Sequence, residues 1–313
     1  MNPDRTVLTF HDGAWHAGSV PVMRSADHGT WLGTLVFDGA RRIDGTTPDL
    51  DAHCARVNRS AEALGLVPTL SPEAIVELAR EGLERIPAEE AVYIRPMYWS
   101  TGFGPGTIAA DPDSTDFCLC LESIPMPAAD ASATLATTRF RRPTLDVATV
   151  DAKAACLYPN NARMVREAIS RGFTNALALD ALGNVAESAT SNVFMVRDGE
   201  VLTPVPNGTF LNGITRRRVM GLLREAGTPV REAVLTYEDF HGADEVFLTG
   251  NIAKVTPVTA FEGTGYPIGP VARLAREAYL DWARSDGADA SSGPAPAAGA
   301  SGTGAPAPVA AAG

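Results

Sequence analysis

The chain contains two lysines, Lys153 and Lys254, and draws the rest of its basic residues from arginine. Lys153 lies in Val150-Asp151-Ala152-Lys153-Ala154-Ala155-Cys156-Leu157-Tyr158, among small and apolar neighbours. Burial in such a setting disfavours the charged ammonium, so the amine becomes a usable nucleophile and proton shuttle. Further on, Glu187 sits in Asn184-Val185-Ala186-Glu187-Ser188-Ala189-Thr190-Ser191-Asn192-Val193-Phe194, just past a turn signal. Gly213-Ile214-Thr215 then opens an amphipathic stretch that runs to Ala226 and stops at Gly227. A helix N-terminus offers unpaired N–H groups and the positive end of a dipole, which suits a phosphate. The following Arg216-Arg217-Arg218 reads as a solvated helix face. A surface lysine and a solvated hairpin glutamate are the ordinary alternatives for Lys153 and Glu187.

Elements must hold these groups in place, and the composition allows them. The chain has 313 residues, 45% hydrophobic and 20% charged, enough for one large or two medium domains. A formal net charge of −11 argues against nucleic acid or an anionic membrane as partner. Met1-Asn2-Pro3-Asp4-Arg5 leads into mixed sequence rather than a secretion signal, and no apolar run reaches the ~20 residues of a membrane span. The four cysteines, Cys54, Cys118, Cys120 and Cys156, form no CxxC pair, so a reduced, cytoplasmic protein is expected.

Strand and helix signals alternate along the chain. Ala91 to Trp99 is rich in aromatic and β-branched residues and reads as a strand, and Phe117 to Leu121 as a core strand. Ser71-Pro72-Glu73-Ala74 opens a helix, with Ser as N-cap and Pro in the first turn. Asn160 to Arg171 reads as a helix closed by Gly172. Hairpins turn at Leu182-Gly183-Asn184 and at Asp198-Gly199. The Pro- and Ala-rich run Ile124 to Asp130 is the linker candidate. This divides the chain into a smaller N-terminal α/β domain over 1–124, a linker over 125–131 and a larger strand-rich domain over 132–285. In the tail, 286–313, 24 of the last 27 residues are Ala, Gly, Pro or Ser, and disorder is expected.

In this order and spacing, the segments around Lys153, Glu187 and Gly213-Ile214-Thr215 resemble the branched-chain aminotransferase-like family, the fold type IV enzymes that use pyridoxal 5′-phosphate. The likeness runs from about Phe37 to Pro257. It implies an α/β (α+β) fold of two domains and a homodimer whose active site lies between the domains and is completed by the other subunit. It implies Lys153 as the catalytic residue and Schiff-base lysine. Glu187 would hold the pyridine nitrogen protonated, and Tyr158 would stand near the phenolic oxygen. Arg56, from His53-Cys54-Ala55-Arg56, would bind the phosphate, with Leu211, Ile214, Thr215 and Asn251 as further cofactor contacts. His53 itself reads as structural. Thr249-Gly250-Asn251-Ile252-Ala253 matches the turn that supplies a second phosphate contact and main-chain donors for the substrate carboxylate. Phe37, Tyr93, Arg95 and Ile252 are the implied substrate contacts, and no metal is expected.

The implied reaction transfers an amino group from a branched-chain L-amino acid to 2-oxoglutarate in two half-reactions. Tyr93-Ile94-Arg95-Pro96 carries that specificity: the tyrosine would contact the α-carboxylate, and the arginine the side-chain carboxylate of glutamate. The sequence departs from the family in four places. Ser188-Ala189-Thr190-Ser191 follows Glu187, Asn251 stands where a threonine is common, Leu32 replaces a pocket tyrosine, and the loop Gly102-Phe103-Gly104-Pro105-Gly106 is altered. These changes keep two other readings open: a D-amino-acid or (R)-amine transaminase of the same fold, and a lyase like aminodeoxychorismate lyase. A scaffold protein without activity would not need Lys153, Glu187, Thr215 and Arg56 together.

Overall fold

The computed structural model describes residues 5–285, so the tail over 286–313 lies outside the described residues. In chain order the elements are β1 (Val7–His11), β2 (Ala14–Ala17), α1 (His28–Leu32), β3 (Leu35–Phe37), β4 (Ala40–Arg42), α2 (Leu50–Ala63), α3 (Pro72–Leu83), β5 (Val92–Ser100), β6 (Thr115–Ser123) and β7 (Ala133–Arg141). There follow α4 (Tyr158–Ser170), β8 (Asn175–Leu179), β9 (Val185–Ser188), β10 (Asn192–Arg197), β11 (Glu200–Pro204), α5 (Ile214–Glu225), β12 (Val230–Ala233), α6 (Tyr237–His241), β13 (Glu245–Gly250), β14 (Lys254–Phe261), β15 (Thr264–Gly265) and α7 (Pro270–Ala283).

The first six strands form one antiparallel sheet in the order β2-β1-β6-β5-β3, with β4 also on β5. The alternating burial of β5 sends Val92 and Ile94 into the core and leaves Tyr93, Arg95 and Met97 together on the other face. Helices α2 and α3 cover the core side. Ser71 caps α3 by accepting from the Ala74 N–H at 3.2 Å, and Pro72 sits in the first turn, where its missing N–H costs nothing. The buried stripe of α2, Leu50, Cys54, Val57 and Ala61, packs on Val36, Ile94 and Leu121.

The second sheet has nine strands in the order β12-β11-β10-β13-β14-β7-β8-β9, with β15 on β14. One face packs on α5 and α7 through Phe194, Val219, Leu223 and Tyr279. Strands β8 and β9 meet across the turn at Gly183, and β10 and β11 across Gly199, both glycines with positive φ. The mixed, two-domain architecture read from the sequence is the one found.

Two readings need correction. Helix α4 begins at Tyr158 rather than Asn160, because Pro159 is tolerated in a first helical turn. Arg216 is not on a solvated face: it is 1% exposed and donates to Glu232 Oε1 at 2.8 Å, Pro204 O at 2.8 Å and Asn212 Oδ1 at 2.9 Å. Its place on the helix explains this, since Val219, Met220 and Leu223 follow at i+3, i+4 and i+7 and all face the core.

Candidate active site

Lys153 belongs by sequence to the second half of the chain, yet the first sheet holds it. Ala152 and Ala154 are buried in the N-terminal core, and Ala154 bridges to Val36. The Lys153 carbonyl accepts from the Phe37 N–H at 3.1 Å, and the Lys153 N–H donates to Ser60 Oγ at 3.1 Å. With its two neighbours turned inward, the lysine side chain turns into the cleft between the sheets. There its Nζ donates to Tyr158 Oη at 2.8 Å and lies 4.9 Å from the Phe37 ring centroid. Burial, reinforced by the positive charge of Arg56, lowers the Lys153 pKa, while Asp38, Tyr93 and Glu187 oppose the shift.

Glu187, on β9, is buried on the far wall of the same cleft. Arg142 pairs with its Oε1 at 3.2 Å, and Asn192 Nδ2 donates to its Oε2 at 3.3 Å. Burial still pushes the Glu187 carboxyl up to about 7, against the pull of Arg142 and Lys153. Arg142 is itself fixed by donating to Asn161 Oδ1 at 2.6 Å and to Thr209 O at 3.2 Å. A carboxylate so placed suits a cationic ring nitrogen, which would restore the charge balance that burial denies it.

The third wall could hold an anion. Helix α5 starts at Ile214 with Gly213 as N-cap and no side-chain cap, leaving its first N–H groups available. A Cβ on Gly213 would fall 2.2 Å from Asn192 Oδ1, so any other residue there would have to displace the carboxamide that holds Glu187. Arg56 comes from α2, where Asp38 Oδ2 accepts from its Nε at 2.6 Å and Oδ1 from its Nη2 at 2.8 Å. His53, one turn earlier, donates through Nδ1 to the same carboxylate at 2.7 Å. Burial alone would raise the Asp38 pKa, but Arg56 and His53 outweigh it and hold the carboxyl well below the usual range. His53 Nε2 and Thr249 Oγ1 are buried and find no hydrogen-bond partner among the described residues, and both residues line the cleft. Of the two, Thr249 Oγ1 is the donor: with Nδ1–H given to Asp38 and its cationic form disfavoured by burial, His53 keeps a bare acceptor at Nε2, so the threonine hydroxyl and the uncapped helix end are what fit a phosphate.

The cleft thus brings together Arg56, Tyr93, Lys153, Tyr158, Glu187, Leu211, Ile214, Thr215 and Asn251. Phe37, Arg95 and Ile252 do not line it. Phe37 lies at the edge of the site, its ring tilted against that of Tyr158 with the centroids 4.9 Å apart. Arg95 donates to Cys120 Sγ at 3.3 Å and lies 3.6 Å from Glu122 Oε2. The Ile252 side chain faces solvent, and its carbonyl accepts from Arg41 Nη1 at 2.8 Å. Lys254 stands outside the cleft lining, which leaves Lys153 as the reactive lysine candidate. The sequence reading missed Arg142, Asn161, Asn192 and Asp38. Asp38 was within reach: it precedes Gly39 in the Val-Phe-Asp-Gly run and opposes a His-x-x-Arg pair.

Comparison with known proteins places the chain in a family. Residues 35–261 match the family described as amino-transferase class IV. The branched-chain-amino-acid aminotransferase of Pseudomonas aeruginosa is 31% identical over 296 residues, covering 89% of this chain and 93% of that protein. A crystal structure of an aminotransferase from Brucella abortus bound to the cofactor PLP superposes with a TM-score of 0.88 at 57% identity, covering 90% of this chain and all of that one. The branched-chain aminotransferase from the thermophilic archaeon Thermoproteus uzoniensis, solved with norvaline, gives 0.79 at 28% identity, over 89% of this chain and 95% of that one. With its lysine, its buried carboxylate and an uncapped helix end in one cleft, the chain belongs to the class IV aminotransferases, enzymes that depend on pyridoxal 5′-phosphate.

Proposed function

We propose that this aminotransferase moves the amino group of a branched-chain L-amino acid to 2-oxoglutarate. The observation that carries the reading is the surround of Lys153 Nζ, where the Phe37 ring and the Tyr158 hydroxyl flank the amine while Tyr93 reaches the same cleft. An aliphatic side chain packs against the Tyr93 and Tyr158 rings that line the cleft, with Phe37 behind Tyr158, and a tyrosine hydroxyl takes a carboxylate. The names of relatives at about 30% identity support the same substrate class.

When bound, the cofactor supplies an electron sink for the substrate's Cα–H bond. The protein's residues do the rest. Lys153, whose charged form burial disfavours, would take the proton from the substrate Cα and return it at the cofactor carbon two atoms along. Tyr158 holds the amine between these steps. Glu187 keeps the ring nitrogen charged, with Arg142 and Asn192 fixing its two oxygens. Arg56, Thr249 and the N-terminus of α5 hold the phosphate.

This reading includes a homodimer in the cytoplasm, supported by the family resemblance and by four free thiols. Among the described residues no helix is long and apolar enough to cross a membrane. It also takes 1–124 and 132–285 as domains joined by 125–131, supported by the change of sheet between Ser123 and Ala133.

One observation favours a second reading, a D-amino-acid or (R)-amine transaminase. Arg95 is turned to Cys120 and Glu122, so its guanidinium is not offered to a glutamate side chain in the cleft. The visible spectrum of the cofactor-loaded protein separates the two. Bleaching by L-leucine and not by D-alanine supports the first; the opposite pattern overturns it. A selective rise of KM for 2-oxoglutarate over that for an aliphatic oxo acid in Arg95→Ala would show that the arginine leaves Cys120 and Glu122 to receive the side-chain carboxylate.

A further inference from the structure

The second lysine has no part in the chemistry above, yet it is 1% exposed. It also adopts a left-handed backbone conformation, φ +64°, which costs a side-chain-bearing residue about 1 kcal/mol relative to glycine. A buried lysine kept at a strained position calls for a reason in its side chain. Lys254 Nζ donates to Asn251 Oδ1 at 2.7 Å and lies 5.4 Å from the Tyr279 ring centroid on α7. Asn251 lines the cleft, on the turn between β13 and β14. Its Nδ2 donates to Ala40 O at 3.1 Å, and Ala40 adjoins the Asp38-Gly39 pair that anchors Arg56.

We propose that Lys254 is a positioning residue for the phosphate end of the site, acting through Asn251. A carboxamide has two unlike ends, an acceptor oxygen and an NH2 with two hydrogens. Lys254 occupies the oxygen and Ala40 O takes one hydrogen. The second hydrogen is thereby fixed in direction, and the oxygen is kept from turning toward an anion. The same turn is tied to the first sheet by Arg41 Nη1, which donates to Ile252 O at 2.8 Å. Lys254 therefore sets the orientation of a group that the Arg41 contact sets only in position. Donation, not charge, is what the role requires. Burial, with a smaller contribution from Arg41, lowers the Lys254 pKa to about 7 against the pull of Asp49, and a neutral amine still donates.

The inference rests on the reading that Asn251 lies beside the cofactor phosphate, and the test separates the two. Pyridoxal 5′-phosphate is loaded onto the wild-type protein, Lys254→Met, Asn251→Ala and the double variant. Its release into a scavenger is followed by visible absorption, and the bound phosphate by its ³¹P resonance. Lys254→Met should release the cofactor about tenfold faster, equal to about 1.4 kcal/mol, and shift the ³¹P line. In the Asn251→Ala background, Lys254→Met should add nothing, because both act on one group. Lys254→Gln, which keeps an uncharged donor, should recover part of the loss and takes the methionine variant's place if that variant fails to fold. Wild-type release together with an unmoved ³¹P line in the variant used, or rate increases that multiply in the double variant, would overturn the proposal. If the wild-type protein itself takes up no cofactor, the reading of the cleft fails with it.

Discussion

Replacing Glu187 by glutamine should make the cofactor-free protein more stable at alkaline pH. Burial holds the Glu187 carboxyl near 7, against an ordinary value of 4.5. Its folded pKa is raised, so the folded state binds the proton more tightly than the unfolded state between these values. Stability therefore falls as pH rises from about 4.5 to about 7, and the loss is complete above 7. A difference of about 2.5 pH units at 1.36 kcal/mol each makes that loss about 3 kcal/mol. Glutamine resembles the protonated acid, keeps an oxygen for Arg142 and does not titrate. At pH 5 the two proteins should unfold at similar urea concentrations, whereas at pH 8 Glu187→Gln should be the more stable by about 3 kcal/mol. The assay is urea unfolding of both cofactor-free proteins at the two pH values. An equal gap at pH 5 and pH 8 would refute the reasoning, because it would show that Glu187 ionises as freely in the fold as in the open chain. Turnover should fall in the same variant, since a neutral amide cannot keep the ring nitrogen charged.

Lys153→Ala should abolish the visible band of the loaded protein and lower turnover by at least about 100-fold; a retained band and rate would remove Lys153 from its role. Gly39→Ala would place a Cβ 2.2 Å from Tyr93 Oη. The ring must move, and KM for the amino donor should rise about tenfold, at a stability cost of about 1–3 kcal/mol; unchanged kinetics would show that Tyr93 is not a substrate contact. Arg216→Ala removes a buried guanidinium with four hydrogen-bond partners and should cost about 2 kcal/mol in urea unfolding. A cost below about 0.5 kcal/mol would restore the solvated-face reading.

What could be read from the sequence divides by physical cause. Lys153, Glu187 and Gly213-Ile214-Thr215, which the fold gathers in one cleft, stand out in the sequence by their chemical types and their order. The helix opened by Ser71-Pro72 was legible because caps act locally. Arg142 was not, since it is one arginine in a chain that uses arginine for nearly all its positive charge. Only the fold brings it to Glu187. Arg216 was misread as part of a charged run, although Val219, Met220 and Leu223 set its face by helical period. Arg95 was assigned from its strand motif, and alternation does place it beside Tyr93. Its engagement with Cys120 and Glu122 depends on β6, a partner that the motif does not contain.

The backbone anchorage of Lys153 has a consequence for anyone recombining such enzymes. The Lys153 backbone is fastened to Phe37 and Ser60, while Glu187 and the uncapped start of α5 belong with the other sheet. A chimera joined at the linker would inherit its lysine from one parent and the seat of that lysine from the other. Compatible seams for gene shuffling should therefore follow spatial contacts, carrying 150–157 along with 34–60 as one cassette, even though these segments lie far apart along the chain.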